Sequence, residues 1–400
     1  MTKIALLGYG TIGSGVAEVL RINKESIAKK AGDQIEIKYI LDLRKFPGDP
    51  NEDKIVHDYD VILNDPEIAV VVEAMGGVEP AYTFTKNALL AGKSVATSNK
   101  ALVAKHGAEL IALAGEKNLN FLFEASVGGG IPIIRPLISC LTADVVEEIT
   151  GILNGTTNYM MTKMSEEGSE FEDVLKDAQQ KGYAEADPTA DIEGHDACRK
   201  IAILTSLVSG QQVDFEDIHC EGITKISATD IKYAKALGRS IKLLASSRLV
   251  DGKYCALVAP FMLPVEHPLY PVSDVFNAVF VHGNVLGDAM FYGSGAGKLP
   301  TASAVVADIV DIVKHTGKHV WIDWEQEKLE LADYKDAEYR FFVRTGADRN
   351  AVEAAFGAVS YVEAVDGLNE TAFVTEQMSG NAYEAAAEKL GDIINMIRVN

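Results

Sequence analysis

Short apolar runs alternate with helical spacings of apolar residues through the first 125 or so positions of the chain. The helical spacing predicts helices over residues 13–31, 81–91 and 102–117. Repeated β-α-β units favour a mostly parallel, doubly wound sheet with right-handed crossovers, so we expect an α/β domain over residues 1–125. The apolar runs predicted as its strands are 3–7, 35–41, 68–73, 93–97 and 119–123.

Three glycine-rich joints, at 127–131, 151–158 and 293–299, separate longer elements in the middle of the chain. We interpret them as functional joints rather than as linkers. A helix predicted over 301–314 follows the last joint and is expected to return to the first domain, which a helix around 300–318 would complete. Residues 126–300 are expected to form an α+β substrate-binding and catalytic domain.

A polar stretch at 323–336 has the composition of a linker or of an exposed helix, and we place a linker at 319–338. Beyond it the predicted order is β-α-β-β-α-β, which is typical of a small ferredoxin-like module and is expected over 339–400. The predicted strands are 339–344, 359–365, 370–376 and 393–399, and the predicted helices are 349–356 and 381–389.

The composition is that of an ordinary globular protein, with 48% hydrophobic and 24% charged residues. A formal net charge of −21 disfavours nucleic acid and anionic membranes, so we expect small molecules or further copies of the chain as partners. We expect no signal peptide and no apolar run long enough to span a membrane. No CxxC pair occurs, which argues against a metal cluster or disulfide framework and suits a reducing cytoplasm. The cysteines are Cys140, Cys198, Cys220 and Cys255.

A G-x-G-x-x-G turn joins the first predicted strand to the first helix, with Gly8, Gly10 and Gly13 as its glycines and Thr11 and Ile12 between the last two. The first glycine permits the tight turn, the second lets the backbone approach a pyrophosphate, and the third allows close helix–strand packing. The helix N-terminus offers N–H groups to the phosphates. Because the motif begins a β-α-β series, we predict a Rossmann-like dinucleotide site; a glycine-rich turn without a ligand is the alternative.

The end of the second predicted strand carries conflicting signals about the dinucleotide. Asp42 can accept hydrogen bonds from a ribose 2′-OH, which favours NAD, whereas Arg44 and Lys45 can pair with a 2′-phosphate, which favours NADP. All three can also be solvated loop charges. The choice between NAD and NADP stays open at this point.

Polar residues follow the later strands, where ligands of an open α/β sheet bind beyond the carboxyl ends. Ser98 and Lys100 follow the fourth strand, and Glu124 follows the fifth. An exposed loop lysine is the alternative for Lys100. Glu124 also precedes a glycine-rich stretch, and a carboxylate beside exposed carbonyls can bind a hard cation. The alternative for Glu124 is a strand-end acid before a flexible turn.

Asp196 and Lys200 lie four residues apart on a helix predicted over about 195–209. A surface ion pair worth about 0.3–0.5 kcal/mol is one interpretation. However, their stripe becomes apolar at Ile203 and Leu207, and a charge entering a buried region needs a partner and usually a purpose. Several carboxylates near one lysine suit a zwitterionic ligand whose ammonium needs acidic partners. The carboxylates in the loop before the helix are Glu185, Asp187 and Asp191.

Six collinear segments resemble the homoserine dehydrogenase family, and the resemblance extends over nearly the whole chain. The last 62 residues resemble an ACT domain, an amino-acid-sensing module common in this family. The six segments are GYGTIGSGV (8–16), SNKALVA (98–104), EASVGGGIPII (124–134), GILNGTTNYM (151–160), GYAEADPTADIEGHDACRKIAIL (182–204) and GAGKLPTASAVVADI (295–309).

The resemblance implies reversible NAD(P)-dependent reduction of L-aspartate 4-semialdehyde to L-homoserine, on the route to threonine and methionine. It implies a cytoplasmic homodimer or homotetramer, with residues 126–300 also serving dimerisation. It further implies Lys200 and Lys100 as catalytic lysines and Asp196 as the group that orients Lys200. The implied substrate-binding residues are Glu185, Asp191, Thr156 and Tyr183. The implied sodium site consists of Glu124 and the backbone of Val127, Gly129 and Ile131.

Two departures from the family pattern are visible. Lys298 stands where relatives often carry a smaller residue, and the ACT-like segment is short, which puts inhibition by threonine in doubt. With no aspartokinase-like region before residue 1, the monofunctional form is expected. Two rival functions remain: a dehydrogenase for another amino or hydroxy acid, and a non-catalytic sensor of a nucleotide and an amino acid. The sensor would have no need of Lys100, Lys200 and Asp196.

Overall fold

The computed structural model describes residues 1–363, 365 and 367–400. The chain forms two compact units, each assembled from three separate stretches. The first unit consists of Met1–Val145, Ala202–Asp214 and Gly293–Leu329, and the second consists of Val146–Ile201, Phe215–Tyr292 and Glu330–Asn400.

The strands differ greatly in length, from two residues to the twelve of the longest pair. They are β1 (Thr2–Leu7), β2 (Ile35–Leu41), β3 (Ile55–Val56), β4 (Ile68–Glu73), β5 (Ser94–Thr97), β6 (Phe121–Leu122), β7 (Val146–Ile152), β8 (Gln211–Gln212), β9 (His219–Cys220), β10 (Arg239–Val250), β11 (Lys253–Pro264), β12 (Phe276–Gly283), β13 (Gly287–Ser294), β14 (Glu325–Lys328), β15 (Glu338–Thr345), β16 (Val359–Val362), β17 (Thr371–Thr375), β18 (Met378–Ser379) and β19 (Asn395–Val399).

The α-helices include three of thirteen residues or more in addition to α9, which carries the predicted acid–lysine pair. They are α1 (Thr11–Ile22), α2 (Lys24–Ala31), α3 (Asp60–Leu63), α4 (Ala81–Leu90), α5 (Lys100–Glu116), α6 (Gly155–Glu167), α7 (Phe171–Gln180), α8 (Thr189–Ile192), α9 (His195–Ser209), α10 (Ala228–Ala236), α11 (Lys298–Lys314), α12 (Arg349–Phe356) and α13 (Gly380–Leu390).

The sheet of the first unit is parallel throughout and has the strand order β3-β2-β1-β4-β5-β6. This order confirms the predicted doubly wound α/β class, and its switch point lies between β1 and β4. Gly8 and Ala74 follow those two strands, and a Cβ at Gly8 would lie only 2.9 Å from the carbonyl oxygen of Ala74. The two backbone segments that follow β1 and β4 therefore approach each other closely at the position where such sheets bind their ligands.

Two predicted elements of the first unit differ in extent. The helix predicted over 13–31 is interrupted at Asn23, whose φ of −110° and ψ of 19° lie outside the helical range, so that α1 and α2 replace it. The strand predicted over 119–123 is only β6, because a 3₁₀ turn begins at Glu124. Helix α11 belongs to this unit and packs on α1, where a Cβ at Gly15 would lie 2.8 Å from the carbonyl oxygen of Lys298.

The second unit is built on a larger mixed sheet. Its centre is the antiparallel hairpin of β10 and β11, whose two-residue turn has positive φ at both Asp251 and Gly252. Such Asp-Gly turns match the twist of the flanking strands, so the dipeptide is a signal for this hairpin that is visible in the sequence. The order across the sheet is β13-β12-β7-β10-β11-β19-β15-β17-β16.

The C-terminal strands have the order β19-β15-β17-β16 with antiparallel neighbours, which is that of a βαββαβ module. Strand β19 also pairs in parallel with β11, so the module continues the central sheet. Buried residues of both parts form one core, including Phe261 of β11 and Phe341 of β15. The far end of the predicted strand 359–365 includes residue 364, which lies outside the described residues.

The polar stretch 323–336 contains a strand and not the helix that was one of its two expected forms. Strand β14 in this stretch pairs in parallel with β8 within the first unit. Pairing satisfies backbone groups that an isolated polar segment would leave to water, which explains why its composition alone did not reveal the strand. Among residues 1–363, 365 and 367–400, no helix is long and apolar enough to cross a membrane.

Candidate functional site

The G-x-G-x-x-G turn lies between β1 and α1, as its sequence predicts. Gly8 has a φ of +94°, which only glycine adopts without strain. A Cβ at Gly13 would lie 2.0 Å from the carbonyl oxygen of Gly8, so only glycine permits this closeness of helix and strand. Gly10 precedes the first turn of α1 in extended conformation and has no side chain to cap it. The turn therefore fits a phosphate group at the helix N-terminus.

Asp42 and Arg44 form an ion pair at the end of β2. The Asp42 carboxylate accepts four hydrogen bonds: from the backbone N–H of Tyr9 (2.8 Å) and Arg44 (2.9 Å), and from Nε (3.0 Å) and Nη2 (2.8 Å) of Arg44. The Arg44 guanidinium is the main reason why the pKa of Asp42 is well below its ordinary value. Four bonds fill the acceptor positions of a carboxylate. Arg44 and Lys45 remain exposed beside it.

Ser98 and Lys100 lie at the carboxyl end of β5, where α5 begins with Lys100. The side chain of Asn99 accepts the N–H of Leu102 at 3.1 Å as a helix cap and donates to the carbonyl of Gly77 at 2.6 Å. This cap fixes the start of α5, and with it the backbone position of Lys100. All three residues of the segment predicted after the fourth strand, Ser98, Asn99 and Lys100, thus lie at the end of β5, with Asn99 as the helix cap.

The Glu124 carboxylate holds the segment that follows the glycine-rich joint. Its Oε1 accepts the N–H groups of Ile133 (2.7 Å) and Ile134 (2.9 Å), and its Oε2 accepts that of Arg135 (2.7 Å). These bonds account for a buried carboxylate without any cation. One acceptor position of Oε2 is left over in this count, so the arrangement still fits a cation beside carbonyls of the joint.

The glycine-rich joint itself is tightly packed within the first unit. Gly129 has a φ of +57°, and a Cβ there would lie 2.1 Å from the carbonyl oxygen of Gly295. Val127 and Ile131, the other two residues implied in a sodium site, are buried. In the described part of the chain, no group of three or more His, Cys, Asp or Glu side chains is arranged to hold a metal ion. A cation here would therefore depend on backbone carbonyls.

Lys200 and Asp196 form a buried ion pair on the part of α9 that belongs to the second unit. The helix has the predicted bounds, and only 10% and 6% of the two side chains are exposed. Lys200 Nζ donates to Asp196 Oδ2 at 2.8 Å and to the backbone carbonyl of Leu153 at 2.7 Å. The interpretation as a surface ion pair is thus wrong, because the stripe that carries the pair enters the protein interior.

Asn154 connects this pair to a second carboxylate. Its Nδ2 donates to Asp191 Oδ1 at 2.7 Å and to Asp196 Oδ2 at 3.0 Å. Its Oδ1 caps α6 by accepting the N–H of Thr157 at 2.9 Å. One amide thus binds two carboxylates, one from α8 and one from the first turn of α9. We call Asn154, Asp191, Asp196 and Lys200 the acid–lysine cluster.

Sequence reasoning did not select Asn154, although it lies in the quoted segment GILNGTTNYM. The available signal was Asn154 itself, because an Asn before the Gly-Thr-Thr run inside the predicted joint 151–158 fits the N-cap of a helix. Burial is the largest effect on the Asp191 carboxyl and raises its pKa, and the hydrogen bond from Asn154 opposes this. When ionised, a carboxylate that is shielded from water in this way binds an ammonium group strongly, because little water competes for it.

The remaining predicted substrate residues lie around the same loop. Thr156 Oγ1 donates to the carbonyl of Tyr183 at 2.6 Å, which ties the start of α6 to the loop before α8. The Tyr183 side chain is exposed and packs edge-on against Tyr159 at 4.9 Å between ring centres. Glu185 is exposed, and its backbone carbonyl accepts a hydrogen bond from Gln179.

Comparison with known protein families gives two matches that together span most of the chain. Residues 132–310 match the family model described as homoserine dehydrogenase. Residues 8–124 match the model described as the NAD-binding domain of homoserine dehydrogenase.

Individual proteins are similar over comparable lengths. A homoserine dehydrogenase of Synechocystis sp. is 41% identical, with 98% of this chain and 96% of the relative covered. The crystal structure of a homoserine dehydrogenase from Thiobacillus denitrificans superposes with a TM-score of 0.92 at 34% identity, covering 100% of this chain and 98% of the other. A hyperthermophilic archaeal homoserine dehydrogenase in complex with NADPH gives a TM-score of 0.65 at 28% identity, covering 78% and 97%.

Proposed function

The chain belongs to the homoserine dehydrogenase family, and from this premise we propose which of its residues bind the substrate and move the proton. The protein is an NAD(P)-dependent oxidoreductase that interconverts homoserine and aspartate 4-semialdehyde. Lys200 is the proposed proton donor to the aldehyde oxygen, and Asp196 orients it. The observation that carries this proposal is the buried pair of Asp196 and Lys200 beside the carbonyl of Leu153.

The geometry of Lys200 supports a role as acid and base. An ammonium has three N–H groups, and Leu153 and Asp196 accept from Nζ on fixed elements of the second unit. A third N–H can therefore donate to an oxygen of the substrate while the other two keep the side chain in position. A charge held in this way stabilises a developing alkoxide and transfers a proton to it without reorganisation of solvent.

The substrate ammonium is assigned to the carboxylates of the second unit. Asp191 is the principal partner, because it is partly buried and is held by Asn154. Glu185 is the second proposed partner, and Thr156 and Tyr183 contact the rest of the substrate. Lys100 is proposed to assist the chemistry from the start of α5.

The cofactor is assigned to the turn of Gly8, Gly10 and Gly13, with the first turn of α1 (Thr11 and Ile12) facing its phosphates. The missing Cβ atoms of Gly8 and Gly13 support this fit. When bound, the reduced nicotinamide supplies the hydride for the aldehyde carbon. Ser98 and Lys100 contribute from the end of β5.

The choice between NAD and NADP is proposed to favour NADP. The four hydrogen bonds on the Asp42 carboxylate leave little capacity for a ribose 2′-OH. The same bonds hold the Arg44 guanidinium in place with other N–H groups available for a 2′-phosphate, and Lys45 adds positive charge beside it.

Further family properties are proposals for this chain. They are a sodium ion at Glu124 with the backbone of Val127, Gly129 and Ile131, a homodimer or homotetramer, a cytoplasmic location, and threonine or another amino acid as effector of the ACT-like module. The domain assignments (cofactor domain 1–125, catalytic and dimerisation domain 126–300, linker 319–338, ACT-like module 339–400) are likewise proposals.

The test is an assay of reduced-cofactor formation with L-homoserine, run with NAD and with NADP. Formation of reduced cofactor with homoserine, faster with NADP at low cofactor concentration, is the expected result. Activity with another hydroxy or amino acid but not with homoserine would support the first rival. Binding of cofactor by folded protein without turnover of any substrate would support the sensor.

A further inference from the structure

One edge of β11 accommodates two strands in succession. Strand β10 pairs with β11 along its whole length and so takes up one edge. The other edge pairs with β9 at Leu257 and Val258, and with β19 at Phe261 and Met262. Both of these strands run parallel to β11. The end of β9 and the strand of the C-terminal module therefore meet along the same edge.

A bidentate ion pair at this meeting point joins β19 to Glu221, the residue that directly follows β9. Arg398 of β19 donates from Nη2 to Glu221 Oε1 at 2.8 Å and from Nη1 to Glu221 Oε2 at 2.9 Å. The Arg398 side chain is only 6% exposed. His219 contacts the same carboxylate at 2.6 Å, and its ring stacks on Tyr334 of the C-terminal stretch. Two parallel charged hydrogen bonds restrict both the position and the orientation of Glu221.

The residues around Glu221 hold the turn that follows α8. Ile223 donates its N–H to the carbonyl of Ile192 at 2.8 Å, and the Cys220 thiol donates to the carbonyl of Glu193 at 3.2 Å. A Cβ at Gly222 would lie 2.1 Å from the Ile192 carbonyl oxygen, so the two backbones touch. Segment 220–223 therefore acts as a clamp on residues 192–193.

Asp191, which is proposed to bind the substrate ammonium, directly precedes the residues that the clamp holds. Asp191 precedes Ile192 in the short helix α8 and accepts the hydrogen bond from Asn154 at 2.7 Å. A displacement of the Ile192 carbonyl would move the Asp191 backbone and disturb this contact. The contacts form an unbroken series within the second unit, from Arg398 through Glu221 and the clamp to Asp191.

We propose that Arg398 is a positioning residue for substrate binding, which holds Asp191 in place through Glu221 and the clamp of residues 220–223. The inference rests on the proposed function, in which Asp191 binds the substrate ammonium. It gives the C-terminal module a role in the basal reaction, because one of its strands supplies the guanidinium. Burial raises the pKa of Glu221, but the hydrogen bonds from His219 and Arg398 outweigh it and bring the pKa to about 2. We therefore expect Glu221 to be ionised at neutral pH, where the variants are compared.

The test compares Arg398→Met with Arg340→Met in the full-length protein. Arg340 is a matched control, because it lies opposite Val399 in the same pair of strands but is exposed and 3.8 Å from Glu376. We expect Arg398→Met to raise the KM for homoserine about tenfold, a value within the range of couplings between contacting residues. The KM for the dinucleotide should change less than about twofold, and Arg340→Met should change neither.

Three further measurements separate positioning from stability. Arg398→Lys, which keeps the charge but loses the bidentate geometry, should restore part of the homoserine KM. Glu221→Gln keeps the shape of the side chain and carries the test if Arg398→Met does not fold. Combined with Arg398→Met, it should add little to the change in KM. Thermal unfolding is recorded for every variant.

The possible results distinguish a failure of the proposed function from a failure of the positioning role of Arg398. A folded wild-type protein that does not turn over homoserine would refute the proposed function before any variant is compared. An active wild-type protein whose Arg398 and Glu221 variants lose thermal stability but keep the wild-type homoserine KM would refute the positioning role alone. A selective rise in the homoserine KM, absent in Arg340→Met, would support it.

Discussion

Asn154 Nδ2 lies 2.7 Å from one oxygen of Asp191, and this contact joins the cap of α6 to the short helix α8. The same nitrogen lies 3.0 Å from Asp196. A neutral amide thus holds together two carboxylates that would otherwise repel each other, beside a buried lysine.

Lys200→Ala should lower kcat by about 10²–10⁴-fold, because it removes the proposed acid and base. Dinucleotide affinity, measured by titration of cofactor fluorescence, should stay close to the wild-type value. Lys176→Ala is the control, since Lys176 is a strongly exposed lysine of α7 in the same unit. Near-wild-type turnover in Lys200→Ala would show that another group moves the proton.

Asn154→Ser should separate the two functions of Asn154. A serine still caps α6, so the change of cap by itself should alter the free energy of unfolding by less than about 1 kcal/mol. The donor to Asp191 and Asp196 is lost, at a cost of about 1.5–3 kcal/mol for a charged hydrogen bond. We expect kcat/KM for homoserine to fall roughly 10–100-fold. An unchanged kcat/KM would argue against a role of the amide in the site.

The KM for homoserine should rise as the pH falls, and the rise should begin at a higher pH than for an ordinary aspartate. Asp191 binds the ammonium only when ionised, and burial raises its pKa, so acid protonates it earlier. The profile is measured as log KM against pH. In Asp191→Asn the KM should be high at every pH, and the rise of KM at low pH should disappear. A rise at low pH that persists in this variant would have to be assigned to another titrating group.

Arg44→Ala should weaken the preference for NADP. The loss of a guanidinium that faces a 2′-phosphate should raise the KM for NADP about tenfold or more. The KM for NAD should stay equal or fall, because Asp42 regains acceptors for a ribose 2′-OH. The measurement is the ratio of kcat/KM for the two cofactors. Equal changes in kcat/KM for both cofactors would show that Arg44 contributes only a general electrostatic attraction and does not contact the 2′-phosphate.

Gly13→Ala should mainly lower the stability of the protein, whereas Gly10→Ala should mainly weaken dinucleotide binding. A Cβ at position 13 would lie 2.0 Å from the Gly8 carbonyl oxygen, so Gly13→Ala should lower the free energy of unfolding by about 3 kcal/mol or more. The nearest atom to a Cβ at position 10 is Arg44 Nη2 at 4.0 Å, so Gly10→Ala should cost about 0.5 kcal/mol or less. It should nevertheless weaken dinucleotide binding at least tenfold, as measured by titration. Chemical denaturation gives the stabilities.

The sequence determined the features that depend on local geometry. Strand and helix periodicity indicated the doubly wound sheet, and the spacing of Gly8 and Gly13 indicated the turn, because a strand followed by a helix forms it from adjacent residues. Asp196 and Lys200 were found for the same reason, since four residues separate neighbours on any α-helix. The apolar stripe that continues from them showed that they enter the interior.

The tertiary structure decided what depends on contacts between distant segments. The meeting of Asn154 with Asp191, the hydrogen bond from the Tyr9 N–H to Asp42, the bonds from residues 133–135 to Glu124 and the pairing of β19 with β11 each join parts of the chain that no periodicity relates. Polar side chains such as Asn154 have several equally good local partners. Only the packing of strands and helices determines which partner is within 3 Å, and with it whether a carboxylate binds an ammonium, a guanidinium or the backbone.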